Sequence, residues 1–362
     1  MIKVSKVYVI AEAGVNHNGD VKLAEKLIDV AASSGADAVK FQTFQAEKLV
    51  SIHAPKAKYQ QENTNGAKTQ LEMLKKLELT KEEFRHLQRY ALKKQIDFLS
   101  TPFDKESLHF LIRDLGMSTV KIPSGEITNA PFLLACGWER KKMILSTGMC
   151  DLSEVRQALG VLAFGLLHNQ EEPSESAFEA TFSSVEGQKV LKQYVSILHC
   201  TTEYPAPYYS VNLRAIHTLQ DQFQLPVGLS DHTAGIAIPI GSVALGALII
   251  EKHFTLDQAM EGPDHKASLN PQELSEMIVG IRQMEQALGN GKKIASDVEI
   301  KNKKIARKSL VAAKPIQKGE YFTAKNLTVK RPGDAVSPYQ YWNYLKKTAN
   351  RDYREDECID EY

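Results

Sequence analysis

Short, almost continuously apolar segments recur eight times in this chain, and helical patterns lie between them. Such a run is typical of a strand buried on both faces, as in a parallel sheet covered by helices. Eight alternations of strand and helix predict an α/β fold, a (β/α)8 TIM barrel rather than a doubly wound sheet. The segments are residues 7–14, 38–44, 97–103, 119–126, 143–149, 195–201, 227–233 and 248–255.

The segments between the strands carry helix signals of their own. Thr80 followed by Glu83 predicts a capping box at the start of one helix, and Gly35 predicts the end of another. The longest apolar stretch, 236–250, is shorter than the roughly 20 residues that a membrane-spanning helix needs. We therefore interpret it as a buried helix that leads into a strand.

The sequence changes character near residue 288. We expect a catalytic barrel over 1–287, a Gly- and Lys-rich linker over 288–304 and a small mixed α/β module over 305–362. A module of about 60 residues is marginally stable alone, so we expect it to dock on a barrel. Inside the barrel, two stretches break the rhythm: 45–79 is too long for a simple loop, and 168–188 is expected to be a surface excursion. Both leave positions where loops can cover a site.

Composition narrows the class of function. The formal net charge is +1, so no overall field favours nucleic acid or an acidic membrane surface. The four cysteines form no C-x-x-C pair, and the N-terminal apolar run is too short for a secretory segment. We therefore expect a cytoplasmic protein with reduced thiols.

Polar side chains collect where the apolar segments end. The C-terminal rim of a barrel is where its active site is built, and so many buried polar groups would be costly if they were only structural. The pattern therefore predicts an active site at this rim. The residues include Glu12, Asn16, His17, Lys40, Gln42, Thr101, Lys121, Ser124, Glu126, Ser146, Thr202, Tyr204, Ser230, Asp231, His232, Glu251, Lys252 and His253.

Two histidines stand out in this set. His232 and His253 end the seventh and eighth segments, which are neighbours in a closed barrel. Two imidazoles on adjacent strand ends can hold a divalent metal ion and leave positions open for substrate. The alternative is that one histidine orients a loop and the other is a satisfied polar residue. The charged groups beside both positions favour the metal site.

Lys40 and Lys121 lie inside apolar runs, where a lysine needs an anionic partner. Together with four hydroxyls they favour a cradle for a phosphorylated carboxylate. The alternatives are a structural ion pair with Glu12 or Glu126, and a Schiff-base lysine. The hydroxyls are those of Thr101, Ser124, Ser146 and Ser230.

Glu12 and Glu126 are candidate acid–base groups or hydroxyl binders. Near two lysines and a metal ion their pKa values should fall, which would make them weak general acids. Residues 262–269 follow the eighth segment and place Asp264 at the rim, although they can also be read as a turn before the last helix.

These segments resemble the sialic acid synthase family over nearly the whole chain. The matching motifs are IAEAGVNHNGD, GADAVKFQTF, FLSTPFD, KIPSGEITN, ILSTGM, HCTTEYPAP, GLSDHT, IEKHFTLD and GPDHKASL. The tail, RKSLVAAKPIQKGE followed by NLTVKRPG, resembles the family's C-terminal antifreeze-like (SAF) domain. The resemblance implies a domain-swapped homodimer that condenses phosphoenolpyruvate with an N-acetylated amino sugar.

The resemblance also implies roles for single residues. His232 and His253 would bind Mn²⁺ or a similar ion such as Mg²⁺ or Co²⁺. Glu126 would lie near the reacting carbons, and Arg331 would reach the sugar's N-acetyl group from the partner chain. Phosphoenolpyruvate would be held by Lys40, Thr101, Lys121, Ser124, Ser146 and Ser230, and the open-chain sugar by Glu12, Gln42, Tyr204 and Asp264.

One motif bears on which sugar is used. N-acetylneuraminate synthases tend to read C-T-N-x-Y-P, whereas residues 200–205 here read CTTEYP, so that Thr202 replaces an asparagine amide beside the phosphate site. This form and GPDHKASL resemble the legionaminic acid synthases, whose substrate is 2,4-diacetamido-2,4,6-trideoxymannose. N-acetylmannosamine and a pseudaminate precursor are the alternative acceptors.

Two other classes of function compete with a synthase. A Schiff-base pyruvate aldolase would need no metal ion and would be trapped by borohydride at Lys40 or Lys121. A non-enzymatic sugar-binding or antifreeze protein, suggested by the tail, would leave the polar rim unexplained.

Overall fold

The computed structural model describes residues 6–56, 60–61, 64, 69–168 and 170–361. The chain divides into two compact units, 1–289 and 290–362. The division falls beside the change in composition near residue 288.

Eight parallel strands form the centre of the first unit. They are β1 Tyr8–Gly14, β2 Ala38–Thr43, β3 Asp97–Pro102, β4 Thr119–Ile122, β5 Lys142–Ser146, β6 Val195–Cys200, β7 Val227–Asp231 and β8 Ile249–His253. Their hydrogen-bonded order is β3-β2-β1-β8-β7-β6-β5-β4, and β3 and β4, at its two ends, lie against each other. Each of the eight predicted segments contains one strand, and the predicted barrel is confirmed.

The strand register aligns the polar rim. Glu12 on β1 pairs with Lys40 on β2 and with His253 on β8, and Ser230 on β7 pairs with Glu251 on β8. Because side chains alternate between the two faces of a strand, residues two apart share a face. Glu251 and His253 therefore point into the barrel on the same side.

Helices surround the strands and bury their apolar faces. The predicted capping box is confirmed, because Thr80 Oγ1 accepts from Glu83 N and the Glu83 carboxylate accepts from Thr80 N at 2.7 Å. The helices of the first unit include α1 Val21–Ser33, α2 Ala46–Leu49, α3 Gln70–Lys75, α4 Lys81–Lys93, α5 Lys105–His109, α6 Ala130–Trp138, α7 Leu152–Leu166, α8 Glu175–Ser183, α9 Val185–Tyr194, α10 Ala215–Phe223, α11 Ala237–Ala244 and α12 Pro271–Ala287.

The apolar stretch 236–250 forms α11 and the start of β8, as predicted. Among the described residues, we find no helix with the length and apolarity that crossing a bilayer requires.

The stretch 168–188 differs from its prediction as a surface excursion. It forms α8 and the start of α9, and serines cap both helices. Phe178 packs edge-on against Phe164 of α7, with 5.2 Å between ring centroids, and Phe182 is buried. The acidic and serine-rich composition conceals this packing, in which the two phenylalanines of α8 hold that helix against its neighbouring helices. Residue 169 lies outside the described residues.

The stretch 45–79 is partly helical. It contains α2 and α3, and a small apolar cluster joins Met73, Leu74 and Leu77 to Val15 and Phe44 beside the barrel rim. The rest of this stretch includes 57–59, 62–63 and 65–68, which lie outside the described residues.

The second unit has its own core of Leu310, Phe322, Tyr344, Tyr353 and Ile359, among others. It contains α13 Asp297–Ala306, the antiparallel strands β9 Ser309–Ala312 and β10 Leu327–Lys330, and α14 Tyr341–Tyr344. Helix α13 begins inside the predicted linker segment 288–304, and Ser296 and Glu299 form its capping box.

Candidate active site

A cavity of about 230 Å³, the rim cavity, opens at the C-terminal ends of the strands. Every strand of the barrel contributes at least one side chain to its wall. The predicted site residues that line it are Glu12, Lys40, Gln42, Thr101, Lys121, Ser124, Ser146, Thr202, Tyr204, Ser230, His232 and His253.

The two predicted lysines are joined by a carboxylate. Lys40 Nζ lies 2.7 Å from Glu12 Oε2 and 3.6 Å from Glu251 Oε2. Lys121 Nζ lies 3.2 Å from Glu251 Oε1. All four side chains are at least 95% buried. Lys121 therefore pairs with Glu251 and not with Glu126, one of the two partners that the sequence suggests.

Hydroxyl groups complete the lining around the lysines. Lys40 Nζ donates to Thr101 Oγ1 at 2.9 Å, and Lys121 Nζ donates to Ser146 Oγ at 2.8 Å. Ser230 Oγ donates to Glu251 Oε1 at 2.8 Å. Ammonium and hydroxyl donors thus converge on one small volume, which suits an anion with several oxygens.

Glu251 is not among the predicted catalytic or substrate-binding residues, although it is central to the network. Its sequence signal is its position two residues before His253 on the same strand, which gives both side chains the same face. Phe103, Met149 and Cys200 also line the cavity, and no sequence pattern singles them out.

The buried charges shift one another's pKa values. Burial raises the pKa of Glu12 to about 7. Burial also favours neutral Glu251, but the charges of Lys121 and Lys40 outweigh it and lower its pKa to about 2. Burial lowers the pKa of Lys121. The predicted fall is therefore wrong for Glu12, because its desolvation outweighs the field of Lys40.

The two histidines lie side by side, with 5.4 Å between ring centroids, and Tyr204 packs 4.2 Å from the His232 ring. His232 Nδ1 lies 2.7 Å from the carbonyl oxygen of Thr201. Since a carbonyl only accepts, Nδ1 carries a proton, and in the neutral imidazole the lone pair is therefore on Nε2. Burial lowers the pKa of His232, but Cys200 and the Thr201 carbonyl outweigh it and raise the pKa above its ordinary value.

His253 Nδ1 is buried and has no hydrogen-bond partner within the described residues; it lies 4.0 Å from Asp264 Oδ2. A buried nitrogen in this state is costly unless it serves a ligand. The imidazole nitrogens of His232 and His253 are therefore suitable ligands for a divalent metal ion. In the described part of the chain no cluster of three His, Cys, Asp or Glu side chains suits a metal ion, so substrate and water would fill the other positions.

Three predicted site residues are not among those that line the rim cavity. Glu126 is half-buried, and its carboxylate accepts from Asn129 Nδ2 at 2.6 Å. Asp264 is buried in the loop after β8, and burial raises its pKa to about 6. Arg331 belongs to the second unit, where its Nε donates to the carbonyl oxygen of Ala306 at 3.0 Å.

Asp231 and Lys252, which the sequence places at the polar rim, are not part of the cavity wall either. Their side chains pair with each other on the outer face of the barrel. Alternation along β7 and β8 explains this, because each lies one residue away from an inward-facing neighbour.

Comparison with known proteins agrees with the resemblance seen in the motifs. The sequence profile of the NeuB family matches residues 27–293, and that of the SAF domain matches residues 307–359. The chain is 51% identical to the N,N'-diacetyllegionaminic acid synthase of Campylobacter jejuni, over 98% of this chain and 99% of that protein.

Two further similarities extend this result. The chain is 45% identical to the N,N'-diacetyllegionaminic acid synthase of Legionella pneumophila, over 93% of this chain and 89% of that protein. Among solved structures, the N-acetylneuraminic acid synthetase of Leptospira borgpetersenii superposes with a TM-score of 0.67 at 33% identity, covering 83% of this chain and 90% of that one.

Proposed function

Because the chain belongs to the NeuB family, we propose that it is an N,N'-diacetyllegionaminic acid synthase. It would condense phosphoenolpyruvate with 2,4-diacetamido-2,4,6-trideoxymannose and release phosphate. The main observation in support of this reaction is that two buried lysines and two histidines line one cavity. The choice of sugar rests on the identity to two synthases that are named for this product.

Phosphoenolpyruvate fits the donors around Lys40 and Lys121. Its phosphate and carboxylate would be held by the two ammonium groups and the neighbouring hydroxyls of Thr101, Ser124, Ser146 and Ser230. Two lysines facing two ionised glutamates would leave the cavity neutral. Because burial raises the pKa of Glu12 to about 7, this carboxylate takes up a proton more readily than an exposed one, which favours an entering anion.

A divalent metal ion, of which Mn²⁺ is the first choice, would be held by His232 and His253. When bound, such an ion supplies Lewis-acid polarisation of the sugar aldehyde. The protein's own contribution is to fix the tautomer of His232 through the Thr201 carbonyl and to keep the His253 imidazole neutral, since burial lowers its pKa well below the usual value.

The reaction forms one carbon–carbon bond and one carbon–oxygen bond to water, and it breaks the carbon–oxygen bond to phosphate. The proton that the added water loses balances the proton that the aldehyde oxygen gains. The enol carbon of phosphoenolpyruvate attacks the aldehyde carbon, water adds to the cationic centre that results, and phosphate leaves from the tetrahedral intermediate. Lys40 and Lys121 stabilise the charge that stays on the phosphate. Gln42, Tyr204 and Glu12 line the same cavity and are proposed to orient the open-chain sugar.

The assembly is also part of the proposal. A homodimer with swapped C-terminal domains would bring Arg331 of one chain to the sugar's N-acetyl group in its partner. In support, the Arg331 side chain is exposed.

The test is phosphate release from phosphoenolpyruvate with Mn²⁺. N-acetylmannosamine and 2,4-diacetamido-2,4,6-trideoxymannose are offered side by side, each with and without a chelator, and a Lys121→Met variant serves as a control with strongly reduced activity. Chelator-sensitive release with preference for the diacetamido sugar is expected. Preference for N-acetylmannosamine would overturn the sugar, and metal-independent turnover with borohydride trapping would point to the aldolase class instead.

A further inference from the structure

A buried ion pair lies on the outer face of the barrel, directly beside the two histidines. Lys252 Nζ is 2.5 Å from Asp231 Oδ2, and the side chains are 0% and 1% exposed. The two residues are also paired in the ladder between β7 and β8. Since His232 and His253 each come next in the chain, the ion pair joins the two strands at the last step before the histidines.

The same side chains hold the backbone on both sides of His232. Lys252 Nζ donates to the carbonyl oxygen of Thr233. Asp231 accepts from Thr233 Oγ1 at 2.9 Å and from Thr233 N at 3.2 Å. Residues 231 and 233 are thereby tied to each other and to β8, and the carbonyl oxygen of His232 accepts from Ala206 N at 2.8 Å. The position of the His232 backbone is set by these contacts.

The ion pair is expected to contribute little to the net free energy of folding. Taking two charges out of water costs several kcal/mol per ion, and apolar residues of similar volume are often as stable. An ion pair of this kind restricts the strand ends to one arrangement. The Lys252 ammonium must reach both the Asp231 carboxylate and the Thr233 carbonyl oxygen at the same time. This points to a role in geometry rather than in stability.

We propose that Asp231 and Lys252 are positioning residues, which fix the separation and orientation of His232 and His253 for a divalent metal ion. The inference rests on the proposed metal role of these histidines. The hydrogen bonds and the ion pair of Asp231 and Lys252 go to each other and to Thr233, so both residues act through the strand ends that carry the histidines.

The experiment measures Mn²⁺ binding by calorimetry, with free Mn²⁺ followed by electron paramagnetic resonance. Asp231→Asn and Lys252→Met are expected to weaken Mn²⁺ affinity about tenfold or more, the range found for supporting partners of metal ligands. Asp37→Asn is the matched control, because Asp37 pairs with Arg282 at the opposite end of the barrel. It should lower stability and leave Mn²⁺ affinity unchanged.

A double variant separates positioning from stability. Asp231→Leu with Lys252→Met replaces the pair by apolar side chains and should recover much of the lost stability while Mn²⁺ affinity stays weak. Recovery of affinity together with stability would overturn the inference. So would unchanged affinity in the single variants.

A milder change covers the case in which the single variants do not fold. Thr233→Val removes one hydrogen bond to Asp231 and keeps the ion pair, so Mn²⁺ affinity should fall by a smaller factor, about threefold. Unchanged affinity in this folded variant would also overturn the inference. Absence of Mn²⁺ binding by the unaltered protein is a different result, because it would overturn the proposed metal site itself.

Discussion

Both ends of the barrel contain charged pairs, but the buried side-chain atoms without a hydrogen-bond partner in the described part of the chain lie at the C-terminal end. At the N-terminal end, the Asp37 carboxylate accepts from Arg282 at 2.7 Å and from Val9 N at 2.9 Å, and it also pairs with Lys6. At the C-terminal end, His253 Nδ1 and Asn16 Oδ1 are buried and find no hydrogen-bond partner in the described part of the chain. A buried polar group that is satisfied within the protein needs no ligand, whereas an unsatisfied one at the C-terminal rim indicates where a ligand binds.

The largest expected effect comes from removing a metal-binding imidazole. His253→Ala should lower kcat by about 10³-fold, because Lewis-acid stabilisation is worth several kcal/mol and each 1.36 kcal/mol is tenfold in rate. Its melting temperature should fall, because removing the buried ring leaves a cavity beside His232, although Nδ1 makes no hydrogen bond in the described part of the chain. Phosphate release and Mn²⁺ titration check this. Full activity of the unaltered protein after chelation would refute the metal mechanism.

The second prediction concerns Glu251, whose carboxylate pairs with both Lys40 and Lys121. Lys121→Met should lower kcat/KM for phosphoenolpyruvate by about 10²-fold and destabilise the protein by about 3 kcal/mol, because Glu251 loses a buried partner. Adding Glu251→Gln should restore stability, measured by urea unfolding, but not activity. If the double variant regains activity, the lysine does not bind the anion.

A smaller effect is expected from the second unit. Arg331→Ala should raise the KM for the amino sugar about tenfold, because the loss of one charge-assisted hydrogen bond weakens binding by about that factor. The KM for phosphoenolpyruvate should change little. Steady-state kinetics with each substrate varied in turn measures both constants. Equal increases in the two constants would argue against a contact with the sugar.

The smallest effect on activity belongs to the N-terminal end. Asp37→Asn should leave kcat unchanged and lower the free energy of unfolding at pH 7 by about 1–3 kcal/mol. Loss of activity at unchanged stability would contradict the contrast between the two ends.

This stability difference should depend on pH. Burial opposes ionisation of Asp37, but Lys6, Val9 N and Arg282 together lower its pKa below the ordinary value of 3.8. Its contribution is therefore complete above pH 3.8 and is lost as the pH falls through the lower folded-state pKa. The gap between the unaltered protein and the Asp37→Asn variant should narrow in acid, as urea unfolding at several pH values would show.

Much of the fold was readable from the sequence because a strand buried on both faces needs an unbroken apolar run. Most candidate site residues were readable too, since polar groups at the ends of such runs lie at the rim, although alternation along the strands turns Asp231 and Lys252 to the outer face. The helices α8 and α9 were not, because the acidic and serine-rich composition of 168–188 hid the phenylalanines of α8 that pack against neighbouring helices. The network around Glu251 was also missed, because it depends on which strands become neighbours.

The sequence by itself determined the eight strands, the two histidines at adjacent strand ends and the family to which the chain belongs. Only the tertiary structure decided that Glu251 lies between Lys40 and Lys121 and pairs with both of them. It also decided that the pKa of Glu12 rises to about 7. The physical reason is that pairing and desolvation depend on everything packed around a group, whereas a sequence pattern records only its neighbours along the chain.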